Sequence, residues 1–183
     1  MCFHVQAGYT HYFTWNKTPD NAELKKCVQE MGLIVEARKG ILAGSNGPDS
    51  KTILDLTHVD LNGVGTNECE PFVFPGEVGF NFCKTEGLPY DDVVTACLIV
   101  ARDHFPSSVL SIGSDGDWSQ GDWNGGAKLY SDVLGRPAHD PIDGMGLGNS
   151  FKHVLMEKVL FPIITISLFL FVFLLWRKIR RGF

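Results

Sequence analysis

The sequence predicts an α+β fold, in which one mainly antiparallel sheet is covered by about three helices, with a single C-terminal transmembrane helix added. Short β-prone runs lie together between strongly periodic helical segments, which favours α+β over an alternating α/β fold. Near the C-terminus, residues 159–176 contain no ionisable side chain. At about 1.5 Å per residue, this run is long enough to cross a thin bilayer as a helix.

The N-terminal third predicts a strand followed by a helix. Residues 11–15 are aromatic and β-prone, and Asp20 stands where a helix N-cap is expected. Apolar residues then recur at steps near three, four and seven, which predicts a helix over residues 21–43. Gly44 suits its C-terminal end.

The middle of the chain predicts short strands followed by a second helix. Residues 52–59, 71–74 and 79–83 are β-like and are separated by Asn-Gly and Pro-Gly steps, as in an antiparallel meander. Residues 90–105 carry an apolar stripe between two prolines, which predicts a helix packed on the sheet.

One more strand and helix complete the predicted domain. A strand is expected at residues 108–112 and a helix at 124–134, ending at Gly135. The predicted order is therefore β-α-β-β-β-α-β-α. We expect a globular head over residues 1–135, a flexible Gly/Pro-rich neck over 136–150 and an anchor helix with a basic tail over 151–183.

Charge is segregated along the chain. Twelve Lys/Arg and all 21 Asp/Glu precede Val159, which gives the head a formal charge of −9. Such a head repels phosphate backbones, so we predict that it binds no nucleic acid. Four cations follow the apolar run, where they favour anionic lipid head groups: Arg177, Lys178, Arg180 and Arg181.

The predicted topology rests on the N-terminal sequence. The first six residues show no basic region followed by an apolar stretch, as a secretory signal would have. We therefore expect a tail-anchored protein with its head in the cytosol, although the positive-inside rule alone would favour the opposite orientation. The mitochondrial outer membrane or the endoplasmic reticulum suits this anchor in a eukaryote. Five cysteines without a CxxC pair are consistent with a reducing compartment.

Several short sequence motifs, called words below, follow one another along residues 9–136. They are His11-Tyr12-Phe13, Asn62-Gly63, Phe82-Cys83-Lys84-Thr85, Pro89-Tyr90-Asp91 with Val93-Val94-Thr95-Ala96, His104-Phe105, Ser114-Asp115-Gly116 and Val133-Leu134-Gly135. This series resembles a family of small uncharacterised proteins from bacteria and fungi. The resemblance implies no activity and assigns no catalytic residue, and the anchor departs from most of that family.

Two residue sets are candidates for chemistry. Cys83 and His104, with Asp91, have the types of a thiolate nucleophile, its base and an acid. A buried structural cysteine, a C-terminal helix cap at His104 and a helix-dipole partner at Asp91 are the stronger interpretations. If Lys84, Asp91, Thr95 and Asp115 converge in one cleft, they form a polar ligand site.

No metal or cofactor is predicted. The acidic loop over residues 115–123 lacks the EF-hand pattern, because Gln120 and Gly126 stand where Gly and Glu are required. A solvated turn with two anchoring tryptophans is favoured instead. The histidines show no HxH or HExxH spacing.

The predicted function is an acidic interaction or scaffolding head that binds a protein partner at a membrane surface. Two alternatives stay open at this point. One is a membrane-tethered thiol- or carboxylate-dependent hydrolase, and the other is a minor structural protein of a membrane-containing virus.

Overall fold

The structure, a computed structural model, describes residues 9–47, 50–74 and 78–143. Three α-helices and two antiparallel sheets form an α+β domain. In chain order the elements are β1 (Thr10–Trp15), α1 (Asn21–Arg38), β2 (Leu42–Ala43), β3 (Ile53–Leu54), β4 (Val59–Gly63), β5 (Phe72–Phe74), β6 (Gly79–Lys84), α2 (Asp91–His104), β7 (Leu110–Ser114) and α3 (Asn124–Leu134).

The first sheet has three strands in the order β6-β1-β7, all antiparallel neighbours. His11 of β1 lies directly opposite Cys83 of β6 and Ser114 of β7. Side chains opposite one another share a face of the sheet. This inner face carries the buried Phe13 and Trp15 of β1, while the alternate residues form the outer face.

The second sheet corrects the prediction of one sheet. Strand β4 pairs with β2, β3 and β5, and it runs through Asn62 and Gly63, where the sequence predicted a separator. The predicted strand over 52–59 is divided, because the backbone turns between Asp55 and His58. Phe72 and Phe74 of β5 pack with tilted rings against Phe13 and Trp15 of β1, so both sheets share one core.

Helix α1 is shorter than predicted. Asp20 caps it by accepting bonds from the backbone N–H groups of Ala22 and Glu23, as expected. The helix ends at Arg38 and passes through a 3-10 turn, Lys39–Ile41, into β2. Glycine at position 40 favours this exit, and the two residues of β2 gain strand partners in β4.

Helix α2 is buried on all sides through its middle. Every residue from Val93 to Ala101 is at most 1% exposed. This helix therefore packs against α1 and α3 as well as against the sheet. At the start of α3, Gly125 and Gly126 lie against α2. A Cβ on Gly126 would come within 2.1 Å of Thr95 Oγ1, so only glycine permits this approach.

The described domain continues past the predicted boundary at Gly135. Arg102 donates to the carbonyl of Pro141 and pairs with Asp143 at 2.6 Å. Asp143 also accepts the N–H of Ile112 and donates its own N–H to the Ile112 carbonyl. Residues 136–143 therefore pack as part of the head. The rest of the predicted neck, 144–150, and the predicted anchor, 151–183, lie outside the described residues.

No helix within the described ranges combines the length and the apolar character needed to cross a bilayer.

Candidate functional site

A buried polar cluster lies on the inner face of the first sheet. His11 is fully buried, and its Nε2 is 2.8 Å from Asp91 Oδ1. The Ser114 hydroxyl is 3.0 Å from His11 Nδ1. Thr85, also fully buried, donates its hydroxyl to the same Asp91 oxygen. We call Ser114, His11, Asp91 and Thr85 the serine–histidine network.

Local structure explains how each member arrives there. The strand register places Ser114 directly opposite His11, at the end of β7. Asp91 is the first residue of α2, where a carboxylate complements the positive end of the helix dipole. Thr85 follows β6, with its backbone N–H donating to the Tyr9 carbonyl.

The loop after β7 closes over the network. The N–H of Gly116 donates to Ser114 Oγ at 2.9 Å. A Cβ on Gly116 would lie 2.1 Å from the Tyr9 hydroxyl, so glycine lets Tyr9 pack against this loop. Tyr9 in turn donates to the carbonyl of Asp122. Burial, and the nearby Asp91 and Asp122 carboxylates, raise the pKa of Tyr9, which keeps it a donor.

Trp123 borders the network from the other end of this loop. Its ring meets the His11 ring edge-on, with 5.0 Å between centroids. The side chain is 1% exposed, and its Nε1 has no hydrogen-bond partner among the described residues. A buried donor without a partner costs about 1–3 kcal/mol, so this N–H destabilises the fold by an amount of that order.

The predicted catalytic set is only partly brought together. Cys83 lies next to His11 in the sheet and near Asp91. His104 does not join them, because it is the last residue of α2 and Asp91 is the first, about 20 Å away along the axis. His104 instead contacts Glu23 and Glu30 of α1.

Cys83 is poorly suited to be a nucleophile. It is fully buried, and its sulfur contacts the carbonyl oxygen of Glu70 at 3.3 Å. Burial, with the Asp91 and Glu70 carboxylates, raises the pKa of this thiol well above its ordinary range. A protonated, buried thiol reacts slowly.

The predicted ligand set is divided by the first sheet. Lys84 pairs in register with Thr10, which places it on the outer face. Asp115 belongs to the same side, since it accepts from the Tyr12 hydroxyl at 3.0 Å. Asp91 lies on the inner face, and Thr95 is buried under α3 with its hydroxyl bonded to the Asp91 carbonyl. The four side chains therefore do not form one cleft.

Carboxylates of the acidic loop, residues 115–123, accept hydrogen bonds from within the domain. Asp115 accepts from the Thr10 N–H, and Asp117 accepts from the Ser119 N–H and hydroxyl. Trp123 is buried and Trp118 partly so, as expected of anchoring tryptophans. Within the ranges that the structure covers, no three His, Cys, Asp or Glu residues are grouped so as to hold a metal ion.

Sequence reasoning missed His11, Ser114 and Thr85 as site residues. Each lies in one of the short words quoted above, as does Asp91, so four separate words each contribute one side chain to the network. The sequence shows the order of these four residues along the chain. Their proximity in space depends on the pairing of strands about 70 and 100 residues apart, which the sequence does not show.

A second feature is the outer face of the first sheet. Phe80 and Phe82 of β6 are 53% and 51% exposed. They stack on each other, and Phe80 also stacks on Tyr12 with 6.1 Å between centroids. We call Tyr12, Phe80 and Phe82 the outer aromatic face.

The chain matches no known family model, no curated protein and no solved structure. Its function must therefore be argued from its own residues.

Proposed function

We propose that this chain is a single-pass, tail-anchored membrane protein whose acidic cytosolic head binds a protein partner at the membrane surface. Eighteen consecutive residues without an ionisable group, followed at once by four cations, support the anchor.

The outer aromatic face is the observation that carries the binding role. About half of each phenylalanine side chain is exposed, on a sheet face opposite the core. Full burial of such a side chain stabilises by about 1.5–3 kcal/mol, so covering the exposed halves would contribute roughly 1 kcal/mol from each. Aromatic side chains are also enriched among the residues that dominate binding energy.

Charge restricts the kind of partner. Flat aromatic surfaces can stack on nucleic-acid bases as well as on protein side chains. The head's formal charge of −9 repels phosphate backbones and anionic lipid surfaces. A protein with a neutral or basic surface is therefore the partner that fits this face.

Alkaline extraction of membranes from cells that express the full-length protein tests the anchor. We expect the wild type to stay in the membrane pellet, with its head digested when protease is added to intact membranes. The double variant Leu168→Arg/Val172→Arg should move to the supernatant, since each arginine costs about 2.5–3.5 kcal/mol at the centre of a bilayer. Leu168→Ile/Val172→Ile is the matched control. A wild type that extracts into the supernatant would refute the anchor.

Site-specific photo-crosslinking tests the binding face. A benzophenone amino acid is placed at Phe82 and, as a control, at Leu33 of α1, which is similarly exposed at 54%. We expect a discrete protein adduct from position 82 and none from position 33. Excess unlabelled wild type should compete for that adduct, whereas the Phe80→Thr variant should not.

Other products would contradict this proposal in distinguishable ways. Adducts with lipid would show that the face meets the bilayer, and adducts with a second copy would show self-association. An intramolecular adduct with residues 159–176 would show that the apolar run covers the domain, which would refute the anchor and the binding face together.

A further inference from the structure

The serine–histidine network has the connections of an activated serine. Ser114 Oγ is within hydrogen-bond distance of one nitrogen of His11, and the other nitrogen contacts the Asp91 carboxylate. A nucleophile, a base and a group that orients the base are the parts this chemistry needs. The two ring nitrogens are used in the reverse order from the serine proteases, where Nε2 faces the serine.

We propose that Ser114 is a nucleophile for acyl transfer, with His11 as its general base and Asp91 as the positioning residue. The substrates are small esters with a neutral or cationic acyl or alcohol group. This activity does not depend on the anchor or on the outer aromatic face.

The hydrogen bonds are compatible with the tautomer that this role needs. A carboxylate at Asp91 only accepts, so Nε2 of His11 carries a proton, and in a neutral imidazole Nδ1 keeps its lone pair. Ser114 then donates its hydroxyl to Nδ1, while its oxygen accepts the Gly116 N–H. Thr85 donates a second bond to Asp91 and fixes that carboxylate.

A buried histidine with two satisfied nitrogens can also be purely structural, and one feature goes beyond that role. Ser114 is the one member of the network that is only partly buried, whereas His11, Asp91 and Thr85 are buried. The serine therefore lies at the solvent side of the network, where a nucleophile has to be.

The surroundings of Ser114 select the substrate's charge. Asp117 and Asp122 lie in the loop that follows it and both are exposed, whereas Asp115 lies on the outer face. The carboxylates of this loop repel carboxylate and phosphate substrates and attract cations. Neutral and cationic esters are therefore the class that can approach.

The reaction balances with water as the second reactant. Ser114 Oγ bonds to the ester carbonyl carbon as its proton passes to His11 Nδ1. The ester C–O bond breaks, and the same proton goes to the leaving alcohol, which leaves an acyl group on Ser114. A water molecule then gives a proton to Nδ1 and attacks the acyl carbon. The carboxylic acid departs, and the proton returns to Ser114.

A neutral fluorophosphonate probe tests the wild-type, full-length protein in detergent, with peptide mapping by mass spectrometry. Displacement of fluoride by Ser114 Oγ would leave a phosphonyl adduct on that residue. We expect labelling of Ser114 to be at least about 100-fold faster than labelling of Ser111, a hydroxyl on the outer face of the same strand. Equal rates at the two serines would overturn the proposal, and this comparison needs no variant to fold.

Variants separate a catalytic from a structural role. Ser114→Ala should abolish both the adduct and the hydrolysis of p-nitrophenyl acetate, while Ser111→Ala should retain them. Asp91→Asn should slow labelling by about 100-fold or more.

The pH profile is the readout that a merely structural Asp91 would not move. The labelling rate of Ser114 should depend on pH, and in Asp91→Asn that dependence should change, because His11 loses its carboxylate partner. The other titratable groups of the described residues that face His11 are Tyr9 and Cys83. A folded Asp91→Asn variant with an unchanged rate and pH dependence would refute the assignment of Asp91.

Discussion

Two adjacent glycines set the distance between helices α2 and α3. A Cβ on Gly125 would lie 1.9 Å from Asp92 Oδ1, and one on Gly126 would lie 2.8 Å from the backbone nitrogen of Ala96. Neither helix can yield easily, because the middle of α2 is buried on all sides. The contact with the α2 backbone therefore excludes a side chain at Gly126, whereas at Gly125 the Asp92 carboxylate would have to move.

Gly126→Ala should lower the free energy of unfolding by about 1–3 kcal/mol, since overpacking forces backbone shifts. Gly32→Ala is the matched control, because Gly32 lies inside α1 with open space where its Cβ would be. That change should stabilise by about 0.5–1 kcal/mol through helix propensity. Urea denaturation measures both, and equal effects of the two changes would contradict the close approach of α2 and α3.

Buried thiols should be inert in the native protein. Burial raises the pKa values of Cys27, Cys83 and Cys97, whereas Cys69 is partly exposed. We expect a thiol reagent at neutral pH to modify Cys69 much faster than these three, which should react only after unfolding. Mass mapping of the modified peptides provides the measurement. Fast, selective modification of native Cys83 would revive the thiol hydrolase alternative.

At the scale of single residues, the sequence predicted part of the polar cluster. Cys83 and Asp91 were both candidates from the sequence and lie near each other, but the histidine beside them is His11 rather than His104. Helical spacing revealed the ends of α2 and hence both Asp91 and His104. The strand register that brings His11 and Ser114 together leaves no local pattern, so those residues were missed.

Strand β6 divides its side chains between two environments. Phe82 and Cys83 are neighbours in sequence, yet one is half-exposed and the other is fully buried. Strand β5, by contrast, buries Phe72 completely between the two sheets. The same residue type therefore lies half-exposed on the surface in one strand and in the core in the other.

Phe82→Thr should change the free energy of unfolding by less than about 1 kcal/mol, because threonine suits a strand and little burial is lost. Phe72→Ala should cost about 3–5 kcal/mol, since it empties a packed site. Denaturant unfolding of the two variants, beside wild type, checks the difference. A large loss of stability in Phe82→Thr would mean that this side chain belongs to the core and is not available for a partner.

Helices were easier to predict than strands. Helix α3 has the predicted bounds, and α2 starts and ends within one residue of its prediction, because apolar periodicity and flanking Gly or Pro act locally. Strands β1, β5 and β6 also lie within one residue of their predictions, whereas β7 is displaced by two residues and the run 52–59 is divided, since a strand's limits depend on its partners. For this reason the second sheet, centred on β4, was not distinguished from the first.

Across the whole domain, one charged cluster ties the three helices together. Glu30 of α1 accepts from Arg136, just beyond α3, and lies 3.2 Å from His104 of α2. Burial alone would raise the pKa of Glu30, but the hydrogen bonds from Arg136 and His104 outweigh it and lower that pKa. The ionised carboxylate is therefore favoured in the folded state.

This lowered pKa predicts the direction of acid sensitivity. The contribution of Glu30 to stability is complete above its unfolded pKa of about 4.3 and is lost as the pH falls through the folded pKa. Glu30→Gln should cost about 1 kcal/mol at pH 7, a size typical of partly exposed ion pairs, and less below about pH 4. Unfolding of both proteins from pH 3 to 7 provides the measurement. A gap that stays constant with pH would contradict this linkage.

The position of β1 at the centre of its sheet has a consequence for synthesis. Both neighbours of this early strand come much later, since its partners lie in residues 79–84 and 110–114. At about 5–20 residues per second, roughly 5–20 s pass between translation of β1 and that of its last partner. During this time the nascent β1 segment has no partner strand to pair with. Its exposed aromatic side chains make it the segment on which a chaperone would act.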